Sequence, residues 1–339
     1  MVRLLKFIRK SWCIKNNATA ACDYFNGGKN PIMNARIGID GRAAAAMVVL
    51  CAIWGMQQVA IKAAEADVSA VLQIAIRSGL AALGVYLLAR CRGECFTWDR
   101  ATLSAGLSVG ALFALEFFFV SEGLRYTSAS HMAVFLYTAP LFSALGLHFL
   151  IRQERLSPVQ WLGMLIAFGG VVLAISGMAE GSGGADRLKG DFYGLLAGIA
   201  WGGSTLVIRT TRLAECPAKQ TLLFQLTGAC VLLSLLALAT DNLHVVLSPV
   251  AWSSLLFQTV IVSFFSYLIW FSLLRRYQAS SLGILTFMTP VFGILAGAVI
   301  LGEPLQIEFV LGAVLIVLGL IVVSCSYLIY VDRRVAPKI

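Results

Sequence analysis

Two charged side chains interrupt stretches that are otherwise almost wholly apolar: Arg77 in AIAIRSGLAAL and Glu116 in ALFALEFFFVSEG. A charge at the middle of a bilayer costs roughly 2.5 to 3.5 kcal/mol on insertion scales, so one that persists faces a partner or a polar cavity. Their opposite signs allow three readings. They can compensate each other across neighbouring helices; they can form a polar site offering Arg77 to a carboxylate and Glu116 to an ammonium; or one of them can snorkel to the interface. An unpaired Glu116 could also carry a coupling proton.

Other polar and aromatic groups recur around the same depth. Trp54 and Trp201 are each followed by glycine and then by polar side chains, Gln57 and Gln58 in one case, Ser204 and Thr205 in the other. Tyr137, Ser266 and Tyr267 lie in comparable positions, and an apolar wall carrying a few placed polar groups is the usual make-up of a small-molecule pocket. Pro140 and Pro290 fall about ten residues into their apolar runs. A proline there removes a backbone donor and frees the carbonyl four residues earlier, Leu136 or Thr286, so the helix bends. Such a bend serves as a hinge, exposes a carbonyl to a ligand, or is a fixed kink.

Several familiar patterns carry no chemistry here. GLSVG (106–110) fits a nucleophile elbow, but lies inside an apolar run with no evident base, where small residues let helices approach. CRGEC (91–95) and the other six cysteines form neither a disulfide framework nor a zinc spacing. His131, His148 and His244 are scattered, and His131 is expected as a satisfied interfacial residue. No phosphate-binding loop occurs. No catalytic residue, metal site or cofactor is therefore expected.

The elements that must position these groups follow from composition. Of 339 residues, 59% are apolar and 13% charged, against roughly 25% charged in soluble domains, and mean hydropathy is +0.85. Ten runs long enough to cross a bilayer, at about 20 residues each, are approximately 43–61, 70–89, 103–120, 129–150, 159–178, 192–208, 221–240, 251–274, 281–301 and 309–330. Backbone in hydrocarbon must satisfy its own hydrogen bonds, so the runs are helices. The class is an all-α polytopic membrane protein. Short joints make consecutive helices the expected antiparallel neighbours. With the amino terminus inside, 21 lysines and arginines fall in inside segments, 4 outside and Arg77 within a run. Both termini are then cytoplasmic. The net charge of +9 is thus a topology signal and implies no nucleic acid. Residues 1–42 are a basic segment, read as an arm on anionic lipid, a disordered tail, or a start preceding the true one at Met33.

The chain repeats itself. GLRYTSASHMAVFLYTAPLFS (123–143) matches LLRRYQASSLGILTFMTPVFG (273–293), pairing Arg125 with Arg275, Pro140 with Pro290 and Phe142 with Phe292. AIWGMQQVAIK (52–62) matches IAWGGSTLVIR (199–209), and QERLSPVQWLGMLIAFGG (153–170) matches GEPLQIEFVLGAVLIVLG (302–319). Two halves of five helices result, 43–178 and 192–330, joined by a loop at 179–191 and followed by a tail at 331–339. An odd number of spans makes the second half inverted, the symmetry used by alternating-access carriers, whose sites lie at the midplane between repeats. The position of Glu116 is taken by Ser266 in the second half, so the symmetry is broken there.

In order and duplication these landmarks resemble the EamA branch of the drug/metabolite transporter superfamily, over roughly residues 43–330. The resemblance implies a ten-helix 5+5 inverted repeat in a plasma (bacterial inner) membrane, with a central cavity between parts of helices one, three, four, six, eight and nine. It implies export of small organic metabolites such as amino acids, with the lipid bilayer, a small-molecule substrate and a coupling proton or exchanged solute as partners. Gln153 departs from the family pattern, which has glycine before Glu154. An intramembrane enzyme and a non-transporting receptor are the alternatives. The residues expected to meet substrate are Trp54, Gln58, Arg77, Glu116, Tyr137, Trp201, Ser204, Ser266, Tyr267 and Thr286, with Pro140 and Pro290 as hinges.

Overall fold

The computed structural model describes residues 40–335 apart from 95, 151–155, 177–183, 278–281 and 283–284. The elements are α1 (Gly41–Ala63), α2 (Ala70–Cys91), α3 (Arg100–Leu124), α4 (Ala129–Leu136), α5 (Ala139–Leu150), α6 (Pro158–Ser176), α7 (Gly184–Thr210), α8 (Ala218–Ala239) and α9 (Pro249–Leu256). A π-helical segment (Phe257–Ser266) then leads into α10 (Tyr267–Arg276), α11 (Met288–Leu301) and α12 (Ile307–Val335). Among the described residues there is no strand, only an isolated bridge between Val68 and Val245. Seven helices among them are long and apolar enough to cross a membrane, and shorter apolar helices cover 158–174, 288–301 and 307–322. The chain is an all-helical integral membrane protein.

Helix starts are set by side chains that accept from orphan amides. Asp40 accepts from Ala43 N, Asp99 from Thr102 N, Ser128 from His131 N and Ser248 from Ala251 N. The amide bonds hold the Asp40 and Asp99 carboxyls below the usual carboxylate range. α7 begins at Gly184, inside the stretch expected as a connecting loop, because its first turns carry Asp191, which is fully buried against α4.

Two runs expected as single helices are interrupted. The 129–150 run breaks at Tyr137 and Thr138, where the Thr138 amide reaches back only to Phe135 O, at 3.2 Å. The 251–274 run widens into a ten-residue π segment. Residues Thr286 and Phe287 form a turn just before Pro290, placed like the break before Pro140. There the expected free carbonyl does not exist: Thr286 O accepts from Thr289 N at 2.9 Å, since the tightened turn supplies an i+3 donor where proline has removed the i+4 one.

Packing also departs from the expectation that consecutive helices neighbour one another. The extensive contacts join distant parts of the chain: α6 with α12, α3 with α7 and α8, α2 with α8, α11 with α1 and α4, and α5 with α7. Small residues decide this, because without a hydrophobic drive between helices in lipid, close backbone approach supplies the contact energy. A Cβ on Gly170 would lie 2.7 Å from Gly312 O, and one on Gly228 only 2.5 Å from Gly110 Cα. Gly106 meets Phe224 in the same α3–α8 seam, while Ser108 is exposed and donates to Ser104 O. GLSVG is therefore a packing stripe.

Polar joints tie the ends of the bundle into two groups. At one end Ser248 bonds Asp67, Ser69 Oγ donates to Asn242 O at 2.8 Å, and Lys62 reaches Leu124 O. The Glu303 carboxylate accepts there from Ala129 N at 2.7 Å and Ser130 N at 3.0 Å, capping α4. Its counterpart Glu154, with Gln153, lies outside the described residues. At the other end Lys219 pairs with Glu94, Gln220 with Thr97, and Tyr277 with Asp40 at 3.0 Å. Residues 123–128 and Tyr277 belong to opposite ends.

Candidate functional site

Arg77 and Glu116 face the interior between α2 and α3 and are 2% and 4% exposed. They make no ion pair with each other. The Arg77 guanidinium stacks over the Phe117 ring, with Cζ 4.5 Å from its centroid, and Nη1 donates to Gln258 Oε1 at 3.5 Å. Arg77 Nε and Glu116 Oε2 are both buried without a hydrogen-bond partner. No salt-bridge contact joins them, although each charge lies near enough to act on the other; the groups against the guanidinium are the Phe117 face and Gln258. An orphan polar atom in a dry interior costs about 1 to 3 kcal/mol, so two on side chains of opposite charge are a costly feature of this bundle.

Gln58 Oε1 on α1, Thr259 Oγ1 in the π segment and Thr289 Oγ1 on α11 are likewise buried without a hydrogen-bond partner. The Cys51 thiol donates to Leu285 O at 3.2 Å, and Thr289 is fully buried. Tyr267 is half-buried in the cluster that also holds Tyr137 and Phe117.

The remaining expected residues divide by location. Trp54 Nε1 donates to Ser266 Oγ at 2.9 Å, and its ring meets Trp270 edge-on at 5.6 Å, so Ser266 anchors a tryptophan across 212 positions. Trp201 meets Tyr137 edge-on at 5.1 Å. Ser204 is buried and accepts from Gln225 Nε2 at 3.3 Å. Thr286 is half-buried at the turn before Pro290. His131 is more than an interfacial residue: its Nδ1 lies 3.0 Å from Asp191 Oδ2, Thr127 Oγ1 donates to Asp191 Oδ1 at 2.6 Å, and the imidazole stacks on Phe309 at 3.8 Å.

The Trp-Gly pairs owe their glycines to helix approach. A Cβ on Gly55 would fall 2.7 Å from Gly293 N and 2.8 Å from Phe292 Cβ; one on Gly202 would fall 2.9 Å from Phe142 Cβ and 3.2 Å from Ser143 N. Each tryptophan-bearing helix is therefore seated directly on a helix that breaks just before its proline. A cleft of about 530 Å³ opens where α3 and α7 part, lined by Ser104, Ser108, Thr210, Thr211 and Arg212 among others. Its hydroxyls donate to carbonyls of their own helices.

Sequence reasoning missed Gln73, Ser254 and Gln258, which are buried around Arg77. The available signal was spacing: Gln73 is four residues from Arg77 and Ser254 four from Gln258, so each pair shares a helix face. Among the described residues no three His, Cys, Asp or Glu side chains assemble as a metal site.

A bundle of apolar helices that walls charged and amide groups off from lipid, at the crossing of helices from both ends of the chain, has the construction of a membrane transporter. The EamA-like transporter family matches this sequence twice, over residues 41–176 and 188–325. The chain belongs to that family. It is 25% identical over 292 residues to the uncharacterized transporter YvbV of Bacillus subtilis, covering 84% of this chain and 92% of that protein. It is 27% identical over 290 residues to a Salmonella typhimurium protein named "Probable amino-acid metabolite efflux pump", covering 83% and 93%. A protein of known crystal structure shares the fold at 19% identity, with a TM-score of 0.59 over 88% of this chain and 99% of that one. Family and relatives are transporters, and this chain is not an enzyme.

Proposed function

We propose that the protein is a secondary transporter that exports small organic metabolites, amino acids or related amphipathic compounds, by alternating access between two inverted five-helix halves (43–178 and 192–330). Both termini are cytoplasmic in this reading. The observation that carries it is the pair of buried, opposite, mutually unpaired charges: Arg77 receives a carboxylate and Glu116 an ammonium, each supplying an atom that has no partner in the protein alone. Gln58, Tyr137, Tyr267 and Ser266 complete the wall, with Trp54 and Trp201 as its aromatic faces. Two family matches of similar length, and the equivalent seats of Gly55 on residues 292–293 and Gly202 on residues 142–143, support the repeat.

Pro140 and Pro290 act as hinges in this scheme, since the helix breaks beside them leave few backbone bonds to be remade on bending. The printed name of the Salmonella relative supports amino acids as the substrate class. Energy comes from an ion gradient, the substrate gradient or exchange. Flux of labelled amino acids across liposomes containing this protein alone tests the proposal. Saturable flux that competing zwitterions inhibit is the expected result; binding without flux, or chemical change of the solute, overturns it.

A further inference from the structure

The amides around Arg77 can be oriented in only one way. Gln73 Nε2 lies 3.1 Å from Ile61 O and 2.8 Å from Val68 O, and backbone carbonyls only accept. Both protons of that amine are therefore committed, and Gln73 Oε1 must be an acceptor. Gln258 Nε2, 2.8 Å away, must donate to it, and also donates to Ser254 Oγ at 2.8 Å. Ser254 Oγ in turn donates to Ala60 O at 2.6 Å. This leaves Gln258 Oε1 as the acceptor facing Arg77. The chain of polarity starts at carbonyls of the last turn of α1 and the α1–α2 turn, passes through two glutamines, and ends on the guanidinium.

At the 150-residue offset of the proline segments Gln258 corresponds to Ser108, so the half of the device that faces Arg77 is not shared by both halves. Its member nearest Arg77, Gln258, lies in the π segment, whose wider turn leaves side chains and backbone at unusual register, a feature found often at functional sites. Gln258 and Gln73 are fully buried, and every one of their four nitrogen-bound protons is matched with an acceptor. Satisfied polar networks of this kind rigidify what they hold.

We infer that Gln73 and Gln258 are positioning residues that hold the Arg77 guanidinium for an anionic group and tie its placement to the closure of the α1–α2 end of the bundle. When α1 separates from α2 and α9 at that end, Ile61 O moves away from Gln73 and Ala60 O from Ser254, the amides lose their fixed orientation, and Arg77 is released. Occupancy of the anion seat and closure of that end are thus one event. The assignment of a carboxylate to that seat rests on the proposed transport function; the relay itself does not.

The test reads Arg77 directly. The full chain, purified in detergent, is treated with phenylglyoxal, an arginine-selective dicarbonyl, and modification of Arg77 is quantified by peptide mass mapping. Gln258→Met and Gln73→Met, near-isosteric replacements without the amide, are expected to raise modification of Arg77 several-fold, and Gln258→Glu, which restores an acceptor, to return it toward the wild-type level. Equal modification in all four proteins overturns the relay, as does a rise in Gln258→Met that Gln73→Met does not share. Should one methionine variant fail to fold, the other and Gln258→Glu still decide the outcome. Counterflow with labelled L-leucine and with L-leucinamide, which lacks the carboxylate, adds the functional arm. Both methionine variants are expected to raise the KM for leucine about tenfold while leaving that for leucinamide within twofold; equal losses for both probes mean a merely structural role and overturn the inference. A wild-type protein that moves neither probe counts against the substrate reading alone, because the dicarbonyl result stands without it.

Discussion

Gly55→Ala is the sharpest single perturbation the structure offers. The added methyl would sit 2.7 Å from Gly293 N, 2.8 Å from Phe292 Cβ and 2.9 Å from Phe292 C, whereas ordinary contact begins at 3.4 Å. Two of these atoms are backbone, so no rotamer change relieves the overlap, and α1 and α11 must part by about 0.7 Å in a region packed at crystal-like density. Overpacking of this kind costs about 1 to 3 kcal/mol. At about 2 to 4 °C of melting temperature per kcal/mol for a chain of a few hundred residues, thermal unfolding in detergent should fall by several degrees. Gly169→Ala is the control: its Cβ meets nothing within 4 Å, and alanine is favoured over glycine in a helix by about 1 kcal/mol, so its midpoint should hold or rise slightly. Gly202→Ala, opposed by Phe142 Cβ at 2.9 Å and Ala139 O at 3.1 Å, should lie between the two. A Gly55→Ala protein that melts at or above the Gly169→Ala control refutes the claim that this glycine seats α1 on the broken helix.

Glu116→Gln is expected to keep expression and fold but to lose transport or its pH dependence, measured as flux against pH in proteoliposomes; unchanged, pH-sensitive flux removes the working role of the carboxylate. Ser266→Ala leaves the Trp54 indole N–H without its acceptor, a loss of about 1 to 3 kcal/mol that should lower the melting point and shift the tryptophan emission. Asp99, whose carboxyl is held low by the Thr102 amide, should stabilise α3 above the ordinary carboxyl range and lose that contribution as pH falls through its lowered value. Asp99→Asn, which also caps, should flatten the acid limb of the stability curve. Single cysteines at the exposed Arg125 and at Tyr277 are expected to react with impermeant reagents from opposite faces of the membrane, and labelling from one face would end the inverted-repeat reading.

The apolar runs, the charges at depth, the paired prolines and the Trp-Gly pairs were legible because each is a local property. A bilayer core without water forces the backbone into helices wherever the apolar stretch is long enough, and a buried charge is conspicuous wherever it stands. The prolines announced bends beside 140 and 290, but the same reasoning did not reach the α7 start, because that depends on bonds such as His131 to Asp191 that close across 60 positions, nor the π turn at 257–266. Nor could it say what Arg77 touches. Opposite charge suggested Glu116, yet Gln258, 181 residues away, holds the guanidinium, and the carboxylate is left with an unpartnered oxygen. Composition by itself determined that this chain lives in a membrane as helices and that it carries charge there. Which helices meet, and so which side chains face the charges, only the tertiary structure decided, because in lipid one apolar face is as good as another until small residues such as Gly55, Gly170 and Gly228 let particular backbones come close.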